Sequence, residues 1–338
     1  SRRQASRRQA ACCLWLGGHR NWDYRYTWSR DTAMAVRAAN LLGCTTEARE
    51  FFHFVRDTLE RDRKLQIMYA VDGGRVPDER TLDHLSGYRG CQPVRVGNGA
   101  RDQVQLDTAG ALMDAAYVYE RGGGSLTARG WRRLREVVDN VAATWREPDL
   151  GIWEPRAGRR HNVHSKLMSW LALRRGAELA PLFGDRPLQT RWQAIADELH
   201  AELCVRGLDR TGKRFVAAYD HEHPDASLLL LPIHGFLPPS DERILRTVEW
   251  IRAELGAGYH VYRYRADDGV GGEEGAFVLC GFWLAEVLAM AGRIDEAQQV
   301  FVAHAEASNH LGLLSEEIEP NSKTLLGNFP QAFSHLGL

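Results

Sequence analysis

The chain has 338 residues with 43 basic and 44 acidic side chains, a net charge of −1, and that balance speaks against a nucleic-acid or membrane-surface protein. Hydrophobic residues at 44% and charged residues at 26% are ordinary for a packed globular domain and exclude a disordered chain. No apolar run approaches the ~20 residues that span a bilayer, and the six scattered cysteines form no Cys-x-x-Cys pair, so a disulfide framework and a zinc ribbon are both excluded and a cytoplasmic, reducing compartment is expected.

The first ten residues repeat Ser-Arg-Arg-Gln-Ala with no apolar face to bury, so residues 1–18 read as an irregular leader and 19–338 as the folded domain. Beyond the leader, apolar residues recur at helical spacing in segment after segment. Eleven helices are predicted, at about 31–43, 46–61, 103–121, 126–145, 165–181, 187–207, 225–232, 240–256, 274–292, 294–309 and 330–338. Phe51, Phe52, Val55 and Leu59 make one buried stripe, and Trp131, Leu134, Val138, Val141 and Trp145 another. Gly122 to Gly124 stop the third helix before Ser125 opens the fourth, and Ser240-Asp241-Glu242 suits a helix N-terminus. Strand-like alternation is nearly absent.

Short turns join the helices in pairs, whereas long segments separate the pairs, at about 62–102, 146–164, 208–224, 257–273 and 310–329, with 17–30 as a sixth before the first helix. In helical hairpins arranged around a ring, every second connection emerges on the same rim. This strict alternation predicts an all-α toroid with its long loops gathered at one end, where chemistry is to be sought.

Those loops hold Asn21-Trp22-Asp23-Tyr24-Arg25-Tyr26-Thr27-Trp28-Ser29-Arg30-Asp31, Gly151-Ile152-Trp153-Glu154, Tyr262-Arg263-Tyr264 and Leu314-Ser315-Glu316-Glu317. Aromatic faces stack on sugar rings, and Arg and Asp bind hydroxyls through charge-assisted hydrogen bonds, so the mixture fits a carbohydrate site. Cleaving a glycosidic bond needs one carboxylic acid to protonate the leaving oxygen and a second carboxylate that attacks or activates water. Glu154 follows Trp153, whose bulk favours the protonated acid. For the partner, chemistry alone leaves Glu316, Glu317 and Glu319 open. Asp31 serves equally as a helix N-cap, and Trp22 reads as structural.

These motifs resemble the family 15 glycoside hydrolases, which include glucoamylases and bacterial trehalase-type enzymes. The resemblance runs from about Gly17 to Leu338 and rests on Gly17 to Tyr26, Trp28 to Asp31, Gly151 to Glu154, His164-Ser165-Lys166 and Leu314 to His335. It implies an (α/α)6 barrel of twelve helices, here with the first helix missing and the arginine-rich leader in its place. The β-sandwich domain that bacterial relatives carry before the barrel is absent from this chain. The resemblance further implies inversion at the anomeric carbon of a terminal α-linked glucose, with Glu154 as general acid and Glu316 as general base. It assigns Arg30 and Asp31 to hydroxyls of the non-reducing glucose, and Tyr24, Trp28, Trp153 and Arg263 to the pocket around it. Pro155 stands where glucoamylases place a second glutamate, which implies a short or unusual acceptor.

The expected activity is therefore exo-acting release of glucose, with trehalose as first substrate and a malto- or isomalto-oligosaccharide as runner-up. No cofactor or metal is required. His161-x-x-His164 and His221-x-His223 lack a third ligand, and Gly269 to Gly275 misses the dinucleotide-loop spacing. The rival from another class is a non-catalytic sugar-binding or regulatory toroid. The sequence gives no oligomeric state.

Overall fold

The computed structural model describes residues 18–62, 64–156, 158–270 and 272–338; the expected leader, and with it the expectation that a first barrel helix is missing, lie outside the described residues but for Gly18. Eleven α-helices stand among the described residues: α1 (Ser29–Leu41), α2 (Thr45–Asp62), α3 (Asp107–Arg121), α4 (Ala128–Thr144), α5 (Val163–Leu179), α6 (Arg186–Arg206), α7 (Leu230–Ile233), α8 (Glu242–Leu255), α9 (Val278–Met290), α10 (Ile294–Ala305) and α11 (Ala332–Gly337). They alternate between two rings. The odd-numbered helices pack in sequence, α1 on α3, α3 on α5 and so on through α9 on α11, and α11 closes the inner ring against α1.

Sequence decides which ring a helix joins. Helix α9, Val-Leu-Cys-Gly-Phe-Trp-Leu-Ala-Glu-Val-Leu-Ala-Met, is apolar but for Glu286 and is buried from Val278 to Ala285 and again at Val287 and Leu288, as suits an inner helix. The outer helix α4 buries only the stripe Trp131, Leu134, Val137, Val138, Val141 and Ala142 and turns its arginines to solvent. Inner helices approach closely. A Cβ added at Gly110 on α3 would lie 2.3 Å from the carbonyl oxygen of Met168 on α5. Gly110→Ala is therefore expected to force the two helices apart and to destabilise the fold by about 3 kcal/mol, read as a lower urea midpoint. An unchanged midpoint would contradict this contact.

Two predicted boundaries are corrected. The helix expected at 103–121 begins at Asp107, because Gln103-Val104-Gln105 lies outside it, with Gln103 extended and Val104 accepting the Leu150 amide at 2.9 Å. The segment expected as a helix at 225–232 is a 3-10 turn, Ala226–Leu229, followed by the single turn α7.

The long connections meet one another as the toroid reading predicts. Strand β1 (Thr27–Trp28) pairs antiparallel with β2 (Met68–Tyr69), tying the first rim segment to the second. Arg156 donates its amide to Asp268 at 3.0 Å, and Tyr219 donates to His161 at 3.0 Å, joining three more. Strands β3 (Arg80–Thr81) with β4 (Arg95–Val96), and β5 (Gly256–Ala257) with β6 (His260–Val261), form small hairpins. Strands β7 (Ala276–Phe277), β8 (Glu317–Ile318) and β9 (Leu325–Leu326) form a three-stranded sheet that fastens the last rim segment. Among the described residues, Cys44, Cys204 and Cys280 are free thiols.

Candidate active site

Glu154 sits on the 146–162 loop with φ +56°, a left-handed backbone that costs a side-chain-bearing residue about 1 kcal/mol or more and persists only where the surroundings enforce it. Its Oε1 accepts from Trp28 Nε1 at 2.9 Å and Gln105 Nε2 at 3.3 Å, and lies 3.5 Å from Arg30 Nη2. Oε2 receives no hydrogen bond among the described residues, so it is the oxygen free to carry a proton. The indole on Glu154 is therefore that of Trp28. Sequence reasoning expected Trp153, but the left-handed turn sends these neighbours to different partners, and Trp153 Nε1 donates to both oxygens of Asp225 at 2.9 and 3.0 Å.

Arg30 and Asp31 open α1. Arg30 is buried and donates Nη1 to Gln105 at 3.0 Å and to Asp107 at 3.3 Å, and Nε to Asp31 at 3.1 Å. Burial alone would lower its pKa, but Asp31, Asp107 and Glu154 outweigh it and hold the guanidinium charged. Asp31 does not cap the helix: the N-cap position is Trp28, which makes no side-chain cap, and Asp31 lies in the first turn. Desolvation in the cleft, and then the negative charge of Glu154 against the opposing pull of Arg30, push Asp31 up to about 6. Tyr24 packs on Trp28 with ring centroids 5.7 Å apart. Its hydroxyl is driven well above its usual range by burial first and then by Glu316 and Glu154, with Arg263 opposing. One hydroxyl thus lies within the fields of both carboxylates.

Glu316 immediately precedes β8 on the 310–329 segment. Its Oε2 accepts the Asn328 amide at 3.0 Å and Asn328 Nδ2 at 2.9 Å. Burial raises its pKa, and the Asn328 bonds and Arg263 moderate the rise. Successive residues in extended chain point to opposite sides, which separates the three acids left open by sequence. Glu317 turns into the protein, fully buried, with Oε2 on the Gly275 amide at 2.8 Å. Glu319 lies in the turn and binds the local amides of Ser322, which hold it down to about 2. The turn is pinned in its own right. His304 Nδ1 meets the Val300 carbonyl at 2.8 Å, which fixes its Nε2 as acceptor from His260 Nδ1 at 3.2 Å and leaves His260 Nε2 to accept from Lys323 at 2.8 Å.

Arg263 is wedged among the rings of Trp153, Phe277 and Tyr264, 5.2 to 5.4 Å from their centroids, and donates to Glu274. Arg20 reaches the same carboxylate at 2.7 Å and clamps Asp268 through both nitrogens at 2.8 and 3.0 Å. A cleft is lined by Tyr24, Trp153, Glu154 and Arg263, while Trp28 and Asp31 line an adjoining one that also contains Tyr24. Sequence reasoning missed Gln105 and Asn328 as partners of the carboxylates, Asp107 as a partner of Arg30, and Arg20 as a clamp. The alternation Gln103-Val104-Gln105-Leu106 was the signal for the first of these. Lys166 proves structural, its ammonium buried on the carbonyls of Trp145 and Glu147 that end α4.

The family model for glycosyl hydrolases family 15 matches residues 5–338. A trehalase of Thermoplasma volcanium is 41% identical over 96% of this chain and 52% of its own length, and a trehalase of Mycobacterium tuberculosis is 43% identical over 95% and 48%. The chain thus spans about half the length of these curated relatives. Among solved structures, a wild-type glycosidase superposes with a TM-score of 0.75 at 19% identity, over 97% of this chain and 88% of that one. That likeness is one of fold, the (α/α)6-type toroid. No helix among the described residues is long and apolar enough to cross a membrane.

Proposed function

The chain belongs to glycosyl hydrolases family 15, and from that membership we propose that residues 19–338 form a catalytic barrel that hydrolyses terminal α-D-glucosidic bonds, releasing one glucose at a time with inversion, and that trehalose is its first substrate. The observation that carries this reading is that Tyr24 lines both the cleft that holds Glu154 and the adjoining one that holds Asp31 and Asn328, the residue that anchors Glu316.

In this mechanism Arg30 and Asp31 grip hydroxyls of the non-reducing glucose, and Tyr24 and Trp28 wall its ring. Glu154 gives the proton on Oε2 to the departing glycosidic oxygen. Glu316, anchored through Oε2 by Asn328, takes a proton from water with its other oxygen, and that water attacks the anomeric carbon from the opposite face. Inverting enzymes hold their carboxyl groups roughly 6.5 to 9.5 Å apart to admit this water. Arg263, held by Glu274, completes the wall together with Trp153.

Proton NMR of the first products tests the reading. Inversion at one half of trehalose yields α- and β-glucose in equal amounts before mutarotation, whereas retention yields the α anomer alone. Faster release from maltose or isomaltose than from trehalose would transfer the assignment to an oligosaccharide substrate, and no release from any of the three would refute it. Asp31 adds a pH dependence. Its hydroxyl-binding form is the carboxylate, so KM is expected to rise as pH falls through about 6. Asp31→Asn should remove that dependence and raise KM by about tenfold or more above pH 6, where the wild-type carboxylate is charged, with the two converging below it.

A further inference from the structure

Hydrolysis as proposed above puts one sugar on each side of the oxygen that Glu154 protonates, and the Arg30–Asp31 pair accounts for only one of them. Asp31 and Asn328 line one cleft, whereas Glu154 lines the adjoining one with Trp22, Asn98 and Arg156. The departing sugar belongs in this adjoining space. Most of its polar lining is already committed. Arg20 and Arg263 share Glu274, and Asp268 takes both terminal nitrogens of Arg20 and the Tyr264 hydroxyl at 2.7 Å. Asn98 accepts the Ala100 amide at 2.9 Å and donates to the Asp23 carbonyl at 3.3 Å.

Arg156 is different. Its amide is fixed on the Asp268 carbonyl at 3.0 Å, and its Nη2 donates to Glu79 Oε2 at 3.0 Å. Glu79 is itself held, since the same oxygen accepts the Gly99 amide at 2.9 Å and Arg95 Nε lies 3.6 Å from the other. The guanidinium crosses the bare backbone of Gly99, where a Cβ would stand 2.6 Å from Nη1. Its Nε and Nη1 meet no acceptor among the described residues, and the side chain is 36% exposed. A braced, part-open donor therefore stands close behind the acid in the chain. A guanidinium offset by a carboxylate suits uncharged hydroxyls better than an anion, and its planar fork matches neighbouring hydroxyls of a pyranose. Trp22 supplies a flat apolar face of the kind a sugar ring covers. We propose that Arg156 sets the specificity for the departing half of the substrate, binding hydroxyls of one neutral hexopyranose beside Trp22. This assignment rests on the hydrolytic reading of Glu154.

The test compares trehalose with α-D-glucosyl fluoride, whose leaving group has no hydroxyls to bind. Arg156→Met removes the donors and keeps an unbranched side chain. It should lower kcat/KM on trehalose about tenfold or more and leave the rate on the fluoride within about twofold of wild type. Glu79→Gln, which loosens the guanidinium without removing it, should slow trehalose less and again spare the fluoride. A loop merely displaced by either substitution would slow both substrates, because it carries Glu154. Equal losses on the two substrates, or no loss on trehalose, overturn the assignment of Arg156 and leave the proposed function standing. A wild-type chain that releases glucose from neither substrate refutes the proposed function, and the assignment with it.

Discussion

Glu154→Gln is expected to lower kcat on trehalose by about 10³-fold, the scale of a lost proton transfer. The amide keeps the shape of the side chain, and its oxygen can still accept from Trp28 and Gln105, so the loop should hold its conformation and the circular dichroism spectrum should not change. What the variant lacks is a transferable proton for the leaving oxygen. A substrate whose leaving group needs none, such as α-D-glucosyl fluoride, should therefore restore much of the rate. Retained turnover of trehalose would end the acid assignment, and a variant equally slow on the fluoride would show that Glu154 acts in some other way.

Glu316→Gln should be as severe, about 10³-fold, and should differ in kind. Asn328 presents two donors to Oε2, so the glutamine oxygen will settle there and the amide nitrogen will face the position of the attacking water. A nitrogen that donates cannot remove a proton. A better leaving group does not help when the nucleophile is not activated, so glucosyl fluoride should remain a poor substrate for this variant. Rescue of both variants by the fluoride, or of neither, would contradict the division of labour. Glu317→Gln is a weaker perturbation of the chemistry, because its carboxyl is turned onto the Gly275 amide, and its effect should appear in stability before turnover.

How much of this was legible in the sequence depended on which side of an element carried the information. The outer helices declared themselves through stripes such as Trp131, Leu134, Val138 and Val141, because one face meets the core and the other meets water. Inner helices lack that contrast. Helix α9 is apolar almost throughout, and the start of α3 was misplaced because Gln103 to Gln105 stays outside the helix. Glu154, Arg30 and Asp31 were visible as unusual residues on a long loop or at a helix start. The identity of the indole on Glu154 was not, because adjacency in sequence says little about neighbours when the backbone turns left-handed at that residue. Likewise Glu316 and Glu317 are indistinguishable as letters and become distinct only once the pleat sends one to Asn328 and the other to Gly275. Asn328 and Arg20 stand inside the matching motifs, but nothing beside them in the chain names their partners. Their partners lie 12 and 248 positions away, and only the closed fold brings them together.

The seating of α11 against α1 has a further consequence. Glu154 belongs to a loop midway along the chain, Arg30 to the first stave of the inner ring, and Glu316 to the segment that leads into the last. No contiguous fragment short of nearly the whole domain holds all three, and pairings over such sequence distances are slow to form. Recovery of turnover after denaturation should accordingly lag behind the return of helicity, since a barrel with one stave unseated has its secondary structure but not its chemistry.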